Sequence, residues 1–311
     1  MNSDEIRLMV QVCKMYYLEE LSQEEIAKHL FISRPQVSKL IKKAKKNNIV
    51  SININNPFSQ EYLMVNKLKD HYRIKNAVVI DTRGFSKQEA LARLAANMSV
   101  ALTSHVANGN IVGISAGYAA AACSHITNIY NCSDLLFVPL IAGESSSGKE
   151  WYASHNCARF AERFEGKYMI LNTPLIIRED KVRGQLSANV AVKPVLDCYD
   201  KLDAILLGIG QTTLKSTLGQ CSISKEEIVW ANEHGAKAII GASFIDAGGN
   251  EILQNQSDIF IGIKAKQIKK CKNVIAIALG LDKVEAIKAA LKGEYINVLC
   301  TDLDTAKELV K

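Results

Sequence analysis

The 311-residue sequence lacks the marks of secreted, membrane-spanning and disordered chains. Its eight cysteines (Cys13, Cys123, Cys132, Cys157, Cys198, Cys221, Cys271 and Cys300) stand singly, with no CxxC pair. That spacing excludes a disulfide framework or zinc ribbon and predicts buried, reduced thiols in a cytoplasmic protein. The six histidines form no HxxxH or HExxH pair, so neither a metal nor another cofactor is expected. The longest apolar runs, such as Leu135–Ala142 and Val274–Leu279, fall far short of the roughly 18 residues a membrane helix needs. The opening Met1-Asn2-Ser3-Asp4-Glu5 is acidic and polar, so no signal or transit peptide is expected. With 48% hydrophobic and 23% charged residues, the composition is that of a folded globular protein. At about 100–200 residues per domain, the length accommodates two domains.

Acidic residues are also missing between Ile26 and Gln60, where Lys28, Arg34, Lys39, Lys42, Lys43, Lys45 and Lys46 occur. This window carries +7 against +6 for the whole chain, leaving −1 elsewhere. A basic module on a near-neutral body predicts an anionic partner for the module alone. Charge by itself fits a solvated helix face equally well.

What decides between these is the helix pattern. Ile6, Met9, Val10, Cys13, Tyr16 and Tyr17 form an apolar stripe at helical spacing. Ser22-Gln23-Glu24-Glu25 and Ser33-Arg34-Pro35-Gln36 both match capping boxes, with Pro35 tolerated in a first turn. The helix after Ser22 buries Ile26, Ala27 and Leu30, and the helix after Ser33 turns Val37, Leu40, Ile41 and Ala44 inward. Two short capped helices joined tightly, the second basic on its outer side, predict a helix-turn-helix. Its second helix fits a DNA major groove. Arg34, Gln36 and Ser38 are the candidates near the base edges, Lys39, Lys42, Lys43 and Lys46 those for phosphates, and the cap residue Ser33 is a further DNA-binding candidate. Ile49–Asn55 alternates like a strand and is expected to form a wing. The bland alternative is a three-helix bundle that binds no DNA.

Asn56–Gln60 breaks the pattern as a linker, and a polar helix is expected over Glu61–Tyr72. Beyond it, apolar runs (Ala77–Asp81, Ile111–Ser115, Leu135–Ala142, Tyr168–Leu171, Ala204–Gly208, Ala238–Phe244, Val274–Leu279, Ile296–Cys300) alternate with amphipathic helical segments. This predicts a Rossmann-like α/β domain with a mainly parallel sheet, whose ligands sit beyond the carboxyl ends of strands. Three loops fall there. Gly113-Ile114-Ser115-Ala116-Gly117 satisfies GxSxG and, with Asp203 and His234 downstream, raises a hydrolase reading. Asp203 opens its strand, the wrong end for catalysis, and no HGG-type oxyanion segment precedes Ser115. The alternative is a glycine-lined turn whose amides hold an anion or a hydroxyl. Gly208-Ile209-Gly210-Gln211-Thr212-Thr213 is a second glycine turn, and Gly143–Lys149 a small polar loop without Walker spacing.

The chain resembles the SorC family of sugar-responsive bacterial transcriptional regulators over nearly its full length. The resemblance lies in Tyr16-Tyr17, Ser22–Lys28 and Ile32–Leu40 at the N-terminus. It continues in Ile111–Gly117, Val138-Pro139-Leu140, Leu206–Gly210, Phe244–Ala247, Lys283–Ile287 and Leu291–Asp302. The resemblance implies a winged-helix DNA-binding head and an effector domain related to ribose-5-phosphate isomerase and glucosamine-6-phosphate deaminase. It also implies a dimer or tetramer whose hold on operator DNA changes with a sugar or sugar phosphate. By position the pocket would take in Gly113, Ser115, Gly117, Gly143, Asn156, Gly208, Gly210 and Lys283. Lys283 would meet a phosphate, or else be a solvated lysine opening a helix.

Departures from the family pattern fall at the pocket. Ala116-Gly117-Tyr118-Ala119 lacks the usual Trp and hydroxyl of the first loop. Ala238-Ile239 replaces a Gly-Asp pair, and Ala242 replaces an Arg. Either the ligand differs from common sugar phosphates or the pocket binds weakly. The expected organisation is a winged helix-turn-helix over residues 1–56, a linker and helix over 57–74, and an effector and oligomerisation domain over 75–311. The function expected is a carbohydrate-controlled DNA-binding regulator, not an enzyme. The runner-up is a sugar-phosphate isomerase-like enzyme or hydrolase with a DNA-binding head, and a third reading makes the effector domain an assembly module only.

Overall fold

Four serines followed three residues later by Glu or Gln each start a helix. Ser22, Ser33, Ser86 and Ser224 accept from the amides of Glu25, Gln36, Glu89 and Glu227, whose side chains accept in return from the serine amides. Two orphan amides are satisfied at each start. The computed structural model describes residues 3–52, 59–124, 132, 134–143, 151–216, 219, 223–252 and 259–311. The chain divides into two units, Met1–Asn56 (the head) and Pro57–Lys311 (the body).

The head holds α1 (Ser3–Tyr17), α2 (Gln23–Leu30) and α3 (Arg34–Lys46). Met9, Val12, Cys13 and Met15 of α1 are buried together with Ile26, Ala27, Val37, Ile41 and Ala44. Val12 and Met15 take the inner face, while Val10, placed in the stripe by spacing, is half-buried. The wing is not formed in the described residues. After α3 the chain turns at Asn48 (φ 55°), and the amides of Ile49 and Val50 both donate back to the Ala44 carbonyl. Ile49 and Val50 pack on Met9, Cys13 and Ala44, so their apolar side chains close the head core instead of pairing as a strand. Residues 53–55 of the expected strand lie outside the described residues.

The body contains, in order, α4 (Gln60–Tyr72), β1 (Asn76–Ile80), α5 (Lys87–Thr103), β2 (Ile111–Ile114), α6 (Tyr118–Ser124), β3 (Leu136–Pro139), α7 (Ala153–Phe164), β4 (Lys167–Tyr168), α8 (Asp180–Ser187) and α9 (Lys193–Asp197). There follow β5 (Ala204–Gly208), α10 (Lys225–Glu233), β6 (Ala236–Ile240), β7 (Ser243–Asp246), β8 (Glu251–Ile252), α11 (Ala265–Lys270), β9 (Val274–Ile277), α12 (Val284–Lys292), β10 (Val298–Asp302) and α13 (Leu303–Leu309). Seven strands form one sheet in the order β1-β10-β9-β5-β2-β3-β4, and every pairing in it is parallel.

The strands read as continuous apolar runs because the sheet is covered on both faces. Ile205 and Leu207 of β5 enter one core with Val138, Leu140, Leu299 and Ile287. Ala204 and Leu206 enter the other with Leu94, Met98, Phe137 and Phe160. The run Ala238–Phe244, expected as one parallel strand, is instead a turn between two antiparallel ones. Gly241 (φ 56°) reverses the chain there, and a Cβ on it would lie 2.8 Å from the Ile263 carbonyl. The resulting β6-β7-β8 sheet is separate and antiparallel. It joins the β5 loop where Gly210 and Ile239 exchange two backbone hydrogen bonds of 3.0 and 2.9 Å.

Seven described cysteines are free, and Cys221 lies outside the described residues. Burial pushes the Cys300 thiol up to about 12, and it raises those of Cys123 and Cys157 as well. These thiols stay protonated and inert. Among the described residues no group of three or more potential ligands could hold a metal. No helix there is long and apolar enough to cross a membrane.

Candidate functional site

In the head, α3 carries the candidate DNA face. Arg34, Gln36, Lys39, Lys42 and Lys46 are exposed and Ser38 is half-buried. Three of the sequence-predicted residues are engaged inside the head. Lys43 forms an ion pair with Glu5 of α1 and holds that carboxyl below its usual range, so its charge braces α1 against α3. Ser33 and Gln36 form the capping box: the Gln36 Oε1 accepts from the Ser33 amide at 2.8 Å and from its hydroxyl at 3.0 Å. A bidentate contact to adenine uses both ends of the amide. With Oε1 committed to the cap, Gln36 retains its NH₂ for an outside acceptor.

In the body, a cavity of about 240 Å³ opens at the carboxyl ends of β2, β5 and β9. This is where an open α/β sheet places its ligand. Ser115, Ala116 and Gly117 follow β2, Gly208 to Gln211 end β5, and Ala278 and Leu279 follow β9. Lys87 of α5, Ile239 of the small sheet and the Asp282-Lys283 pair complete the wall. Ser115, Gly117, Gly208, Gly210 and Lys283 therefore converge as the sequence suggested.

Gly113, Gly143 and Asn156 do not line this cavity. Gly113 lies inside β2, where a Cβ would stand 2.4 Å from the Leu140 Cδ2. Its glycine serves packing. Gly143 borders a different cavity, with Tyr152, His155 and Asn172. Asn156 is fully buried, and its Nδ2 donates to the Ser115 carbonyl at 3.0 Å. It holds the β2 loop from behind. The described part of the expected Gly143–Lys149 loop is Gly143 alone, since 144–150 lie outside the described residues.

Four amides of the glycine turns are bonded within the fold. The Ser115 amide donates to the Leu206 carbonyl at 2.9 Å and that of Gly117 to Trp151 at 2.8 Å. The Gly208 amide donates to the Ser115 Oγ at 3.0 Å, and that of Gly210 to Ile239. These four amides are spent, while Tyr118 and Ala119 at the start of α6 also line the cavity. Three lysines, Lys87, Lys215 and Lys283, line the cavity against one acid, Asp282.

Lys283 is no solvated lysine. It is half-buried, its ammonium donates to the Ile209 carbonyl at 2.9 Å, and desolvation lowers its pKa, opposed by Asp282 and aided by Lys87. An entering anion would reverse that shift.

The loop that presents Lys283 is locked. Asp302 accepts from the Gly280 amide at 2.8 Å, and Thr305 Oγ1 accepts from the same amide at 3.0 Å. Asp302 also takes the amide and hydroxyl of Thr305 at 2.9 and 2.7 Å. Gly280 thus sits at φ 105°, and a Cβ on it would lie 2.6 Å from the Asp282 carboxylate. Gln211 ties the β5 and β9 loops together through the Asp282 carbonyl at 2.6 Å.

A hydrolase triad is not assembled. Asp203 accepts from the Ile111 amide at 2.8 Å, at the start of β2, while Ser115 follows its end. The strand separates them by about 13 Å at 3.3 Å per residue. His234 stacks on Trp230 with centroids 4.2 Å apart and binds the Trp230 carbonyl. Lys87, Tyr118, Gln211 and Asp282 in the wall, and Asp302 behind it, were missed from sequence. The available signals were the place of Gln211 inside the second glycine turn and the position of Asp282 just after a predicted strand.

A family model described as "Putative sugar-binding domain" matches residues 56–311. The sorbitol operon regulator of Klebsiella pneumoniae is 27% identical over 100% of this chain and 99% of its own. The full-length crystal structure of that regulator, SorC, superposes with a TM-score of 0.77 at 27% identity, covering 100% of both chains. This chain belongs to the SorC family. A second relative, the deoxyribonucleoside regulator of Bacillus subtilis (strain 168), is also 27% identical over 100% of this chain and 99% of its own. A sigma-70 region 4 model matches residues 10–47, the helix-turn-helix of the head. The resemblance read from the sequence holds along the whole chain, and these relatives are named as regulators, not as isomerases or hydrolases.

Proposed function

We propose that this SorC-family chain binds operator DNA through the outer face of α3 and that one phosphorylated monosaccharide or related polyol phosphate in the body's cavity controls that binding. The observation that carries the effector class is the charge of the wall, three lysines against one aspartate among the described residues. A phosphate is met there by ammonium groups. The sugar part is met by the Ser115 hydroxyl, whose proton is free to donate because its oxygen accepts from Gly208. The chain acts in the cytoplasm as a homo-oligomer on a palindromic or repeated operator. The effector works only through its difference in affinity between DNA-competent and incompetent arrangements.

The test is a mobility shift on the DNA flanking the coding region, at two salt concentrations, with sugars, polyols and their phosphates. The expected result is a specific shift that weakens with salt and responds to one phosphorylated compound. A compound that raises the melting temperature and leaves DNA affinity unchanged contradicts the regulatory half.

A further inference from the structure

Phe31 stands in the turn between α2 and α3 and is 96% exposed. Its backbone is left-handed (φ 54°, ψ 38°), with its amide closing α2 onto the Ala27 carbonyl. Glycine is the residue that suits this conformation, and a bulky side chain there is a genuine outlier. Of the large hydrophobic side chains exposed among the described residues, Phe31 alone has a positive φ. Leu18 and Val190 are also well exposed but stand on ordinary backbone. The ring thus costs backbone energy and is not buried in the head, so the fold does not account for it.

Its position does. Phe31 lies two residues before the Ser33 cap, at the N-terminal end of α3 that also carries the exposed Arg34 and Gln36. In a helix-turn-helix this end enters the major groove. The apolar group presented there is the thymine C5-methyl, for which Phe is a known contact type, whereas phosphates and guanine are met by cations. Arg34 supplies a cation at the same end of the helix.

We propose that Phe31 is a specificity-determining residue that reads a thymine methyl beside the bases met by Arg34. The proposal rests on the reading of α3 as the DNA face.

The test begins with duplexes selected from a random-sequence pool by the full-length wild-type protein. Binding is then measured with each thymine of the selected site replaced in turn by deoxyuridine, which removes only the methyl. Wild type is compared with Phe31→Gly and Phe31→Asn, both suited to the left-handed backbone. The expected result is one thymine whose replacement weakens wild type about fourfold, the worth of one buried carbon. The same replacement should have less than about a twofold effect on either variant. Both variants should bind the selected duplex about tenfold less tightly than wild type, from the lost ring, and melt near the wild-type temperature. The proposal is overturned if no thymine matters to wild type, or if the variants respond to its loss as wild type does. Specific wild-type binding unchanged in the variants overturns this inference and leaves the α3 reading standing. Failure of the wild type to select any sequence overturns both.

Discussion

The head and the body place function on the molecule in opposite ways. The candidate DNA face is one stretch of chain, Arg34–Lys46, shaped by caps and a 3.6-residue period within a single helix. The cavity wall is assembled from segments near residues 87, 115, 141, 208, 215, 239, 278 and 283, brought together by strand order and loop locks. A site made by local geometry is written contiguously and tolerates reading from sequence. A site made by topology is written in fragments, each of which looks like ordinary punctuation.

This contrast can be broken experimentally, and the largest effect should come from the body's core. Phe137 stacks on Phe160 at 5.6 Å and meets Phe164 at 5.4 Å, fully buried. Phe137→Ala should destabilise the body by about 3–5 kcal/mol, read by urea unfolding followed at body-specific probes. A loss below about 1 kcal/mol would mean that the aromatic cluster is not packed as described.

Arg34→Ala should weaken specific DNA binding by about 1–3 kcal/mol and leave effector binding by calorimetry unchanged. Equal damage to both would erase the distinction between the units. Lys283→Met should weaken binding of a phosphorylated effector by about 1.5–3 kcal/mol, the worth of a hydrogen bond to a charged group, with unliganded DNA binding intact. Burial lowers the Lys283 pKa, and only its protonated form attracts phosphate. Wild-type affinity for the phosphorylated ligand should therefore fall as pH rises through that lowered value, below where an ordinary lysine titrates. In Lys283→Met the slope should flatten.

The smallest effect separates two neighbours. Lys42→Ala should reduce the salt slope of DNA binding by about one. Lys43→Ala should leave the slope nearly unchanged, because that ammonium is held by Glu5. Equal slopes for the two variants would place Lys43 on the DNA face after all.

Much of the fold was legible because local rules agreed with it. The capping boxes at Ser22 and Ser33 marked α2 and α3, and two-sided burial made the parallel strands continuous apolar runs. The expectation failed where tertiary context overrode a run or a period. Ile49–Asn55 alternates like a strand, yet Ile49 and Val50 pack against Met9, Cys13 and Ala44 in the head core. Ala238–Phe244 is apolar apart from Gly241 and Ser243, and Gly241 within it reverses the chain.

At the cavity, glycines after strands pointed to the right loops, but their chemistry was not visible. Gly113 answers to Leu140, and Asn156 supports Ser115 from behind. Lys87 and Lys283 stand nearly two hundred positions apart in sequence and meet only once the sheet order is known. Asp302 reaches the site through Gly280, a link that no spacing rule encodes.

In the proposed function, a ligand held by Lys283 governs DNA binding through α3. The most direct measurement is operator affinity by mobility shift for wild type and Lys283→Met, titrated with the responsive sugar phosphate. The account predicts equal affinities without ligand, a ligand-dependent change in wild type, and a response displaced to at least about tenfold higher ligand in the variant. A variant that responds at the same ligand concentration as wild type, or a wild type blind to every phosphorylated sugar, would contradict it.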